Sequence, residues 1–495
     1  MATRGVVAAG HPLTAGAGAD VLRAGGNAVD AALAAMLTSF VAEPMLTGLG
    51  AGGYMLVAAP GREPLLLDFF VEAPGRGADL DARAPLVPVD VFFEDAVQVF
   101  NIGASSCGTY GNPAGVCAAA ARFGTVPLAE LAGPAAALAR AGVEVNAEQA
   151  YVFEILAPIV SSTEGSRALF MPEGRLPRAG DLLRDPSLAD ALERLGAEGA
   201  EPFYRGDVAA QVSEYVCERG GMLTMADLAA YEAVPREPVR VRYRGRDVLL
   251  NPPPNAGGTL LAYALALLER RGAGAPDALA LVAAMEAAQA ERNPEFLTGL
   301  AEPGFLERFM DSRLGSTTHI SVLDGDGWAC TVTCTNGEGS GLIVPGTGMH
   351  VNNMMGEQDL SPLGFFTHAP GRRLPSMMAP TVVLGVDGAP ELVLGSAGSN
   401  RIRSALLQVI VNVFDRGMDA IEAVCAPRLH FEDGVVYAEP GADVPALEAA
   451  GRAVTRFRGH NLFFGGCQAV ERDAESGALS GGGDPRRGGA VVAAP

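Results

Sequence analysis

The sequence predicts an α+β protein, a four-layer αββα sandwich in which two stacked sheets lie between outer layers of helix. Three observations predict it. Alanine-rich helical stretches alternate with short apolar runs through the first part of the chain, the texture turns to strands beyond Arg313, and helices follow the strands closely enough to cover both outer faces.

Each element has a local cause. Gly25-Gly26-Asn27-Ala28-Val29-Asp30 reads as a turn feeding a buried helix over 31–41, which Pro44 stops. After the glycines at 48, 50, 52 and 53, the apolar runs 54–59 and 64–69 have strand length and form a hairpin. The pattern is helical from 113 to about 156, with Asn146 or Glu148 opening a helix after the turn at 141–143, and again at 207–219 and 227–231. Residues 240–251 alternate as one strand, ending in the Pro252–Gly258 turn, and helices follow at 259–269 and 276–291. The strongest hairpin signal joins 319–323 to 328–335 through Asp324-Gly325-Asp326-Gly327, because Asp-Gly tips accept the positive φ of tight turns. Further strands fit 349–353, 379–386, 390–395, 434–437 and 466–471, with helices at 400–416 and 443–450. Neither a linker nor an internal repeat interrupts the chain, so one body is expected.

Composition narrows the function. With 49% hydrophobic and 19% charged residues over 495 positions, a sizeable core is assured. A formal charge of −21 argues against nucleic acid or an anionic membrane as partner and leaves small molecules as the expected clients. All 36 basic residues are arginine, which excludes Schiff-base, pyridoxal phosphate and P-loop chemistry, each of which needs a lysine. The seven cysteines are an odd set without CxxC spacing, as expected of buried thiols in a reducing compartment. The first residues lack an export signal and no segment approaches the ~20 apolar residues of a membrane helix, so the cytoplasm is the expected location. Gly48-x-Gly50-x-x-Gly53 follows a helix and precedes a strand, the reverse of a dinucleotide fingerprint.

Gly315-Ser316-Thr317-Thr318-His319 resembles the maturation site of the γ-glutamyltransferases, N-terminal-nucleophile hydrolases whose small subunit begins at the first Thr of a TTH motif. Other stretches resemble the family's signatures in the same order: 25–30, the glycines at 48–53, 252–258, Asn352-Asn353, 376–380, 395–401, 426–430 and 484–486. The resemblance implies cleavage into a large subunit, 1–316, and a small subunit, 317–495, that together form one αββα body, with a homodimer of heterodimers left open. It implies neither metal nor organic cofactor. Thr317 would be both the cleavage and the catalytic nucleophile, its freed α-amine acting as the base that a weak hydroxyl needs. Period-two geometry puts Thr331, Thr333 and Thr335 on one face of their strand and Cys330 and Cys334 on the other, and by resemblance Thr335 hydrogen-bonds the nucleophile's amine. Gly395–Arg401 reads as a tight turn into a helix, whose backbone donors at Gly398 and Ser399 match the family's oxyanion hole, with Arg401 and Arg403 following. Asn336, Glu338, Asn353, Glu357, Ser376 and Phe70 are the expected substrate-binding residues, Glu357 as the acid for an α-amine.

Three departures fall in the implied acyl pocket. Where members carry an arginine for the substrate α-carboxylate, this chain has Phe69-Phe70-Val71; Pro375 replaces the first of two serines; and the loop 336–341 differs. Neither Phe nor Val can mimic a bidentate cation, so the machinery is retained with altered specificity. The resemblance then admits an acyl hydrolase or transferase, a biosynthetic hydrolase of an antibiotic-type metabolite, including carbon–carbon bond hydrolysis as in alkylproline pathways, or a non-catalytic scaffold. Retention of Thr317 and Thr335 speaks against the scaffold.

Overall fold

Two short apolar runs at opposite ends of the chain, absent from the expected elements, pair with each other at the edge of the first sheet. The computed structural model describes residues 3–93, 96–272, 274–291, 318–361 and 364–495. In chain order the principal elements are β1 (Gly5–Ala9), α1 (Pro12–Ala24), α2 (Ala28–Ala42), β2 (Gly52–Ala58), β3 (Leu65–Phe69), β4 (Val234–Arg236), β5 (Val239–Tyr243) and β6 (Arg246–Leu250). They continue with α3 (Ala256–Arg270), α4 (Ala278–Ala290), β7 (Thr318–Asp324), β8 (Ala329–Thr335), β9 (Thr381–Leu384), β10 (Pro390–Ala397), α5 (Arg401–Arg416), β11 (Gly466–Arg472), β12 (Leu479–Gly483) and β13 (Ala490–Ala494).

The first sheet has the order β13-β1-β7-β8-β2-β3-β4 and the second β12-β11-β10-β9-β6-β5. Both are antiparallel throughout, with Gly5 of β1 opposite Asp324 of β7 on one side and Ala494 of β13 on the other. Alternation along the strands separates three apolar layers. Val7, Met55, Val57, Val322 and Val332 pack outward onto α2, whose fifteen residues are all buried. Val6, Tyr54 and Leu56 meet Leu249, Val382, Val393 and Val470 between the sheets. Val248, Leu250, Val383 and Leu392 pack outward with residues of α3, α4 and α5. The result is the expected αββα sandwich.

The α2 helix starts at Asn27, whose side chain accepts from Val29 and Asp30 N–H while Asp30 caps back, a capping box. At the tip of the β7–β8 hairpin, Asp324 Oδ1 accepts from Asp326 and Trp328 N–H at 3.0 and 2.9 Å and Oδ2 from Ala28 N–H at 2.9 Å, pinning the hairpin to the start of α2.

Three expected elements differ: the strand expected over 349–353 covers only Met349–His350. The single strand at 240–251 is a hairpin, β5 and β6, because Arg244 (φ 50) and Gly245 (φ 79) both adopt the positive φ of a two-residue turn. The turn expected at 395–401 is shorter, since β10 runs through Ala397 and only Gly398, Ser399 and Asn400 separate it from α5. The seven cysteines are unpaired; Cys107, Cys330, Cys334 and Cys467 are buried but Cys217 is exposed. No helix among the described residues is long and apolar enough to cross a membrane.

Candidate active site

β8 ends at the mouth of a cavity, and the period of two along it divides hydroxyls from thiols as expected. Cys334 faces α2, its Sγ 3.1 Å from Thr47 Oγ1, and burial pushes its thiol up to about 12. Thr331 and Thr333 face the second sheet and hold His319 between them, Thr333 Oγ1 at 2.8 Å from Nδ1 and Thr331 Oγ1 at 2.9 Å from Nε2. Ser321 Oγ is a further 2.8 Å neighbour of Nε2 and donates to the Gln468 carbonyl at 3.1 Å. Burial lowers this imidazole to about 3, so it is neutral at physiological pH and packs rather than titrates. A Cβ at Gly395 would overlap the ring, which is why the strand facing it carries glycine.

Thr335, last in that row, reaches the cavity. Its Oγ1 accepts from Gly337 N–H at 2.8 Å. The loop 336–341 turns on three left-handed glycines, Gly337 (φ 66), Gly339 (φ 82) and Gly341 (φ 78). Gly337 also allows close approach, since a Cβ there would overlap Asn353 Oδ1 and Glu357 Oε1. Asn353 accepts from Glu338 N–H at 3.1 Å through Oδ1 and donates its backbone N–H to the Asn336 carbonyl at 3.2 Å. Both amide atoms of Asn336 and Nδ2 of Asn353 are buried with no hydrogen-bond partner among the described residues.

On another side lies the β10–α5 turn. Gly398 has φ 119 and Ser399 φ 53, a left-handed conformation unusual for a residue with a side chain. The turn is braced from behind: Asn400 Nδ2 donates to Glu432 Oε1 at 2.6 Å, Glu432 Oε2 lies 3.3 Å from His430 Nε2, and His430 Nδ1 is 2.8 Å from Ser404 Oγ. Burial alone would raise Glu432, but His430, Arg401 and Asn400 hold it down to about 2. Arg401 donates through Nε to the Phe463 carbonyl at 3.0 Å and lies over that ring, 4.8 Å from its centroid.

Thr335, Glu338, Glu357, Gly398 and Ser399 line one cavity of about 440 Å³. Asn336 and Asn353 lie in the loop network behind its Gly337–Glu338 wall. Two expected substrate residues are elsewhere. Phe70 is fully buried between the sheets, stacked on Tyr54 with centroids 5.6 Å apart, because the β3 strand continues its inward-facing pattern. Ser376 is buried against the start of α3, its Oγ accepting from Met378 N–H at 3.1 Å and its carbonyl from Ala256 and Gly257. Thr317, with Ser316, lies outside the described residues.

The cavity also contains groups that the sequence pattern did not single out. Glu43 at the end of α2, His11 at the cap of α1, Arg487, and the apolar Val152, Phe153, Leu156 and Leu462 are among its further lining residues. A lone acid closing an otherwise apolar helix was the available signal for Glu43; nothing local distinguishes Arg487 from its neighbour Arg486.

Comparison with known proteins gives the same answer from end to end. The family model described as gamma-glutamyltranspeptidase matches residues 14–494. The chain is 34% identical to the acylase ACY 1 proenzyme of Pseudomonas sp. (strain SE83), over 92% of this chain and 88% of that protein. It is 33% identical to the glutathione hydrolase proenzyme of Escherichia coli (strain K12), over 87% and 81%. The crystal structure of cephalosporin acylase from Bacillus halodurans superposes with a TM-score of 0.83 at 27% identity, covering 99% of this chain and 96% of that one. With the two-sheet sandwich and the cavity at the end of β8, these likenesses establish that the chain belongs to the gamma-glutamyltranspeptidase family of N-terminal-nucleophile hydrolases.

Proposed function

We propose that the protein is a self-processing threonine acyl hydrolase or acyltransferase with Thr317 as nucleophile, and that its acyl specificity differs from γ-glutamyl transfer. The observation that carries this reading is the register of the hairpin. Thr318 pairs with Cys334, one residue short of Thr335, so the chain enters β7 beside the cavity that Thr335 lines. In the first step Thr317 Oγ attacks the Ser316 carbonyl and its proton passes to the departing amide nitrogen; water then splits the ester, freeing a threonine with an α-amine. In turnover that amine takes the Oγ proton as Oγ attacks the substrate carbonyl, the Gly398–Ser399 turn stabilises the oxyanion, and the leaving amine carries the proton away; water or an acceptor amine then attacks the resulting ester, giving its proton back to Oγ through the α-amine and releasing the acyl product. Thr335 orients the amine, and Glu338 and Glu357 face the substrate.

N-terminal sequencing of the purified protein tests the first half. A small chain beginning at Thr317 is expected, with Thr317→Ala abolishing both processing and turnover and Thr317→Ser slowing both; a fully active uncut chain would refute it.

Altered specificity is supported by the family's arginine position. Phe69, Phe70 and Val71 are all fully buried, and Arg373 nearby is committed, with Nη1 on the Phe70 carbonyl at 2.5 Å and Nη2 on the Glu232 carbonyl at 2.7 Å. Asp68 and Glu72 surround the same guanidinium at 3.6 and 3.4 Å. Arg403 likewise binds Gln289 at 2.9 Å. A γ-glutamyl α-carboxylate directed there would have no cation, at a cost on the order of several kcal/mol. A chromogenic γ-glutamyl anilide should therefore be a poor substrate, and efficient kcat/KM on it would return the protein to ordinary γ-glutamyl transfer.

A further inference from the structure

Adjacent arginines at the end of the chain have opposite surroundings. Arg486 is neutralised, donating to Glu439 at 2.7 Å through Nε and 2.5 Å through Nη2 and to Asp484 at 3.2 Å through Nη1. Asp484 is shared with Arg428, whose Nη2 lies 2.6 Å from it, so both acids of this cluster are taken. Both arginines line the cavity, but it is Arg487 that reaches toward the β10–α5 turn. Its stem crosses Gly466, where a Cβ would sit 2.5 Å from Arg487 Cδ, and its Nη2 lies 3.5 Å from the position a Cβ would take on Gly398. Bare glycines thus clear the corridor that brings the guanidinium to the β10–α5 turn. There Arg487 makes no ion pair with any described residue, its Nε is buried without a partner among them, and its side chain's one hydrogen bond to them is a long one, Nη2 to the Leu462 carbonyl at 3.5 Å.

We propose that Arg487, with Arg401 beside it, is the carboxylate-binding site of this cavity, and that the substrates are acyl compounds carrying a carboxylate on an apolar body. Arg401 adds to the cost of this desolvated guanidinium and the charges of Glu338, Asp484 and Glu43 offset part of it, but none of these acids pairs with it directly; a carboxylate would supply that contact, and the planar fork matches it bidentately. Burial, then the charge of Arg401, brings Arg487 down to about 10, so it is still a cation at neutral pH. Phe153, Leu156 and Leu462 supply the surface for the apolar body. The site deepens the acyl-hydrolase reading above: it would hold a carboxylate at the β10–α5 turn, a different place from the β3 region to which a γ-glutamyl α-carboxylate is directed.

Calorimetric titration of the full-length protein with glutarate, and with the neutral glutaramide, tests the site. Glutarate should bind and glutaramide should bind at least tenfold more weakly. Arg487→Met, which replaces a buried cation by an apolar chain of similar length, should weaken glutarate by roughly ten- to hundredfold. Arg487→Gln provides the same reading if the Met variant does not fold. Equal affinity for the acid and the amide, no glutarate binding, or full glutarate affinity in a folded Arg487 variant would overturn the proposal. An uncut, inactive chain that binds glutarate through Arg487 would refute the hydrolase reading and leave the site standing, whereas a processed, active enzyme indifferent to Arg487 would refute the site alone.

Discussion

Gly337 contributes no side chain to the cavity, yet several site residues depend on it. Its N–H holds Thr335 Oγ1, its left-handed φ of 66 reverses the loop, and its missing Cβ leaves room for Asn353 and Glu357. Gly337→Ala would combine backbone strain with overlap on two polar side chains, a loss of roughly 1–3 kcal/mol. It should lower the melting temperature and raise KM, while Gly48→Ala, with nothing within 4 Å of its Cβ position, should change neither. Thermal melts and steady-state kinetics of the two variants check this; equal behaviour would show that the close approach is dispensable. At the same scale, the sequence pattern pointed to Thr335, Glu338, Glu357 and the 398–399 turn, because strand periodicity, glycine turns and local acids are visible along the chain. It could not separate Arg487 from Arg486, since that difference lies in which one meets Glu439, a residue distant in sequence. Phe70 was misassigned to the pocket for the related reason that an aromatic at a strand end looks the same whether it faces a ligand or another ring.

Elements were legible where their cause was local. The β7–β8 hairpin announces itself through Asp-Gly tips, α2 through its cap and alanine run, and α5 through its amphipathic length. β1 and β13 were not legible, because Gly-Val-Val-Ala-Ala and Ala-Val-Val-Ala-Ala carry no alternation and acquire their identity only by pairing with each other across the whole chain. The β5–β6 hairpin was missed because polar and apolar residues alternate through the turn, and a lone Gly245 was the sole marker of reversal. The 395–401 segment blends two roles that one glycine-rich string cannot distinguish. Gly395 is a close-approach position under His319, while Gly398 is a true turn residue.

Across the whole molecule, buried neutral imidazoles tie stability to pH. Burial lowers His319 to about 3 and His350 to about 4, and also lowers His430. In the unfolded chain each returns to about 6.5. Between that value and the folded one, the unfolded state binds a proton that the native state does not, so stability is full above about 6.5 and falls as pH falls, by up to about 1.4 kcal/mol per pH unit for each imidazole. His319→Gln should remove one such contribution and flatten the dependence between about pH 6 and 4. Urea unfolding at a series of pH values measures it, and an unchanged slope would mean that His319 is protonated in the native state.

The strand order has a further consequence for a chain cut before Thr317. In the first sheet β7 and β8 are wedged between β1 and β2, and β13 closes the edge beyond β1, so strands from before and after the junction interleave. The second sheet is likewise shared, β5 and β6 from one side of the cut and β9 to β12 from the other. Separating the two pieces would mean tearing several ladders at once and leaving both sheets with open interiors, so dilution alone would not part them. Such a molecule would have two polypeptides and one unfolding transition, and an injury to either piece would be felt by both.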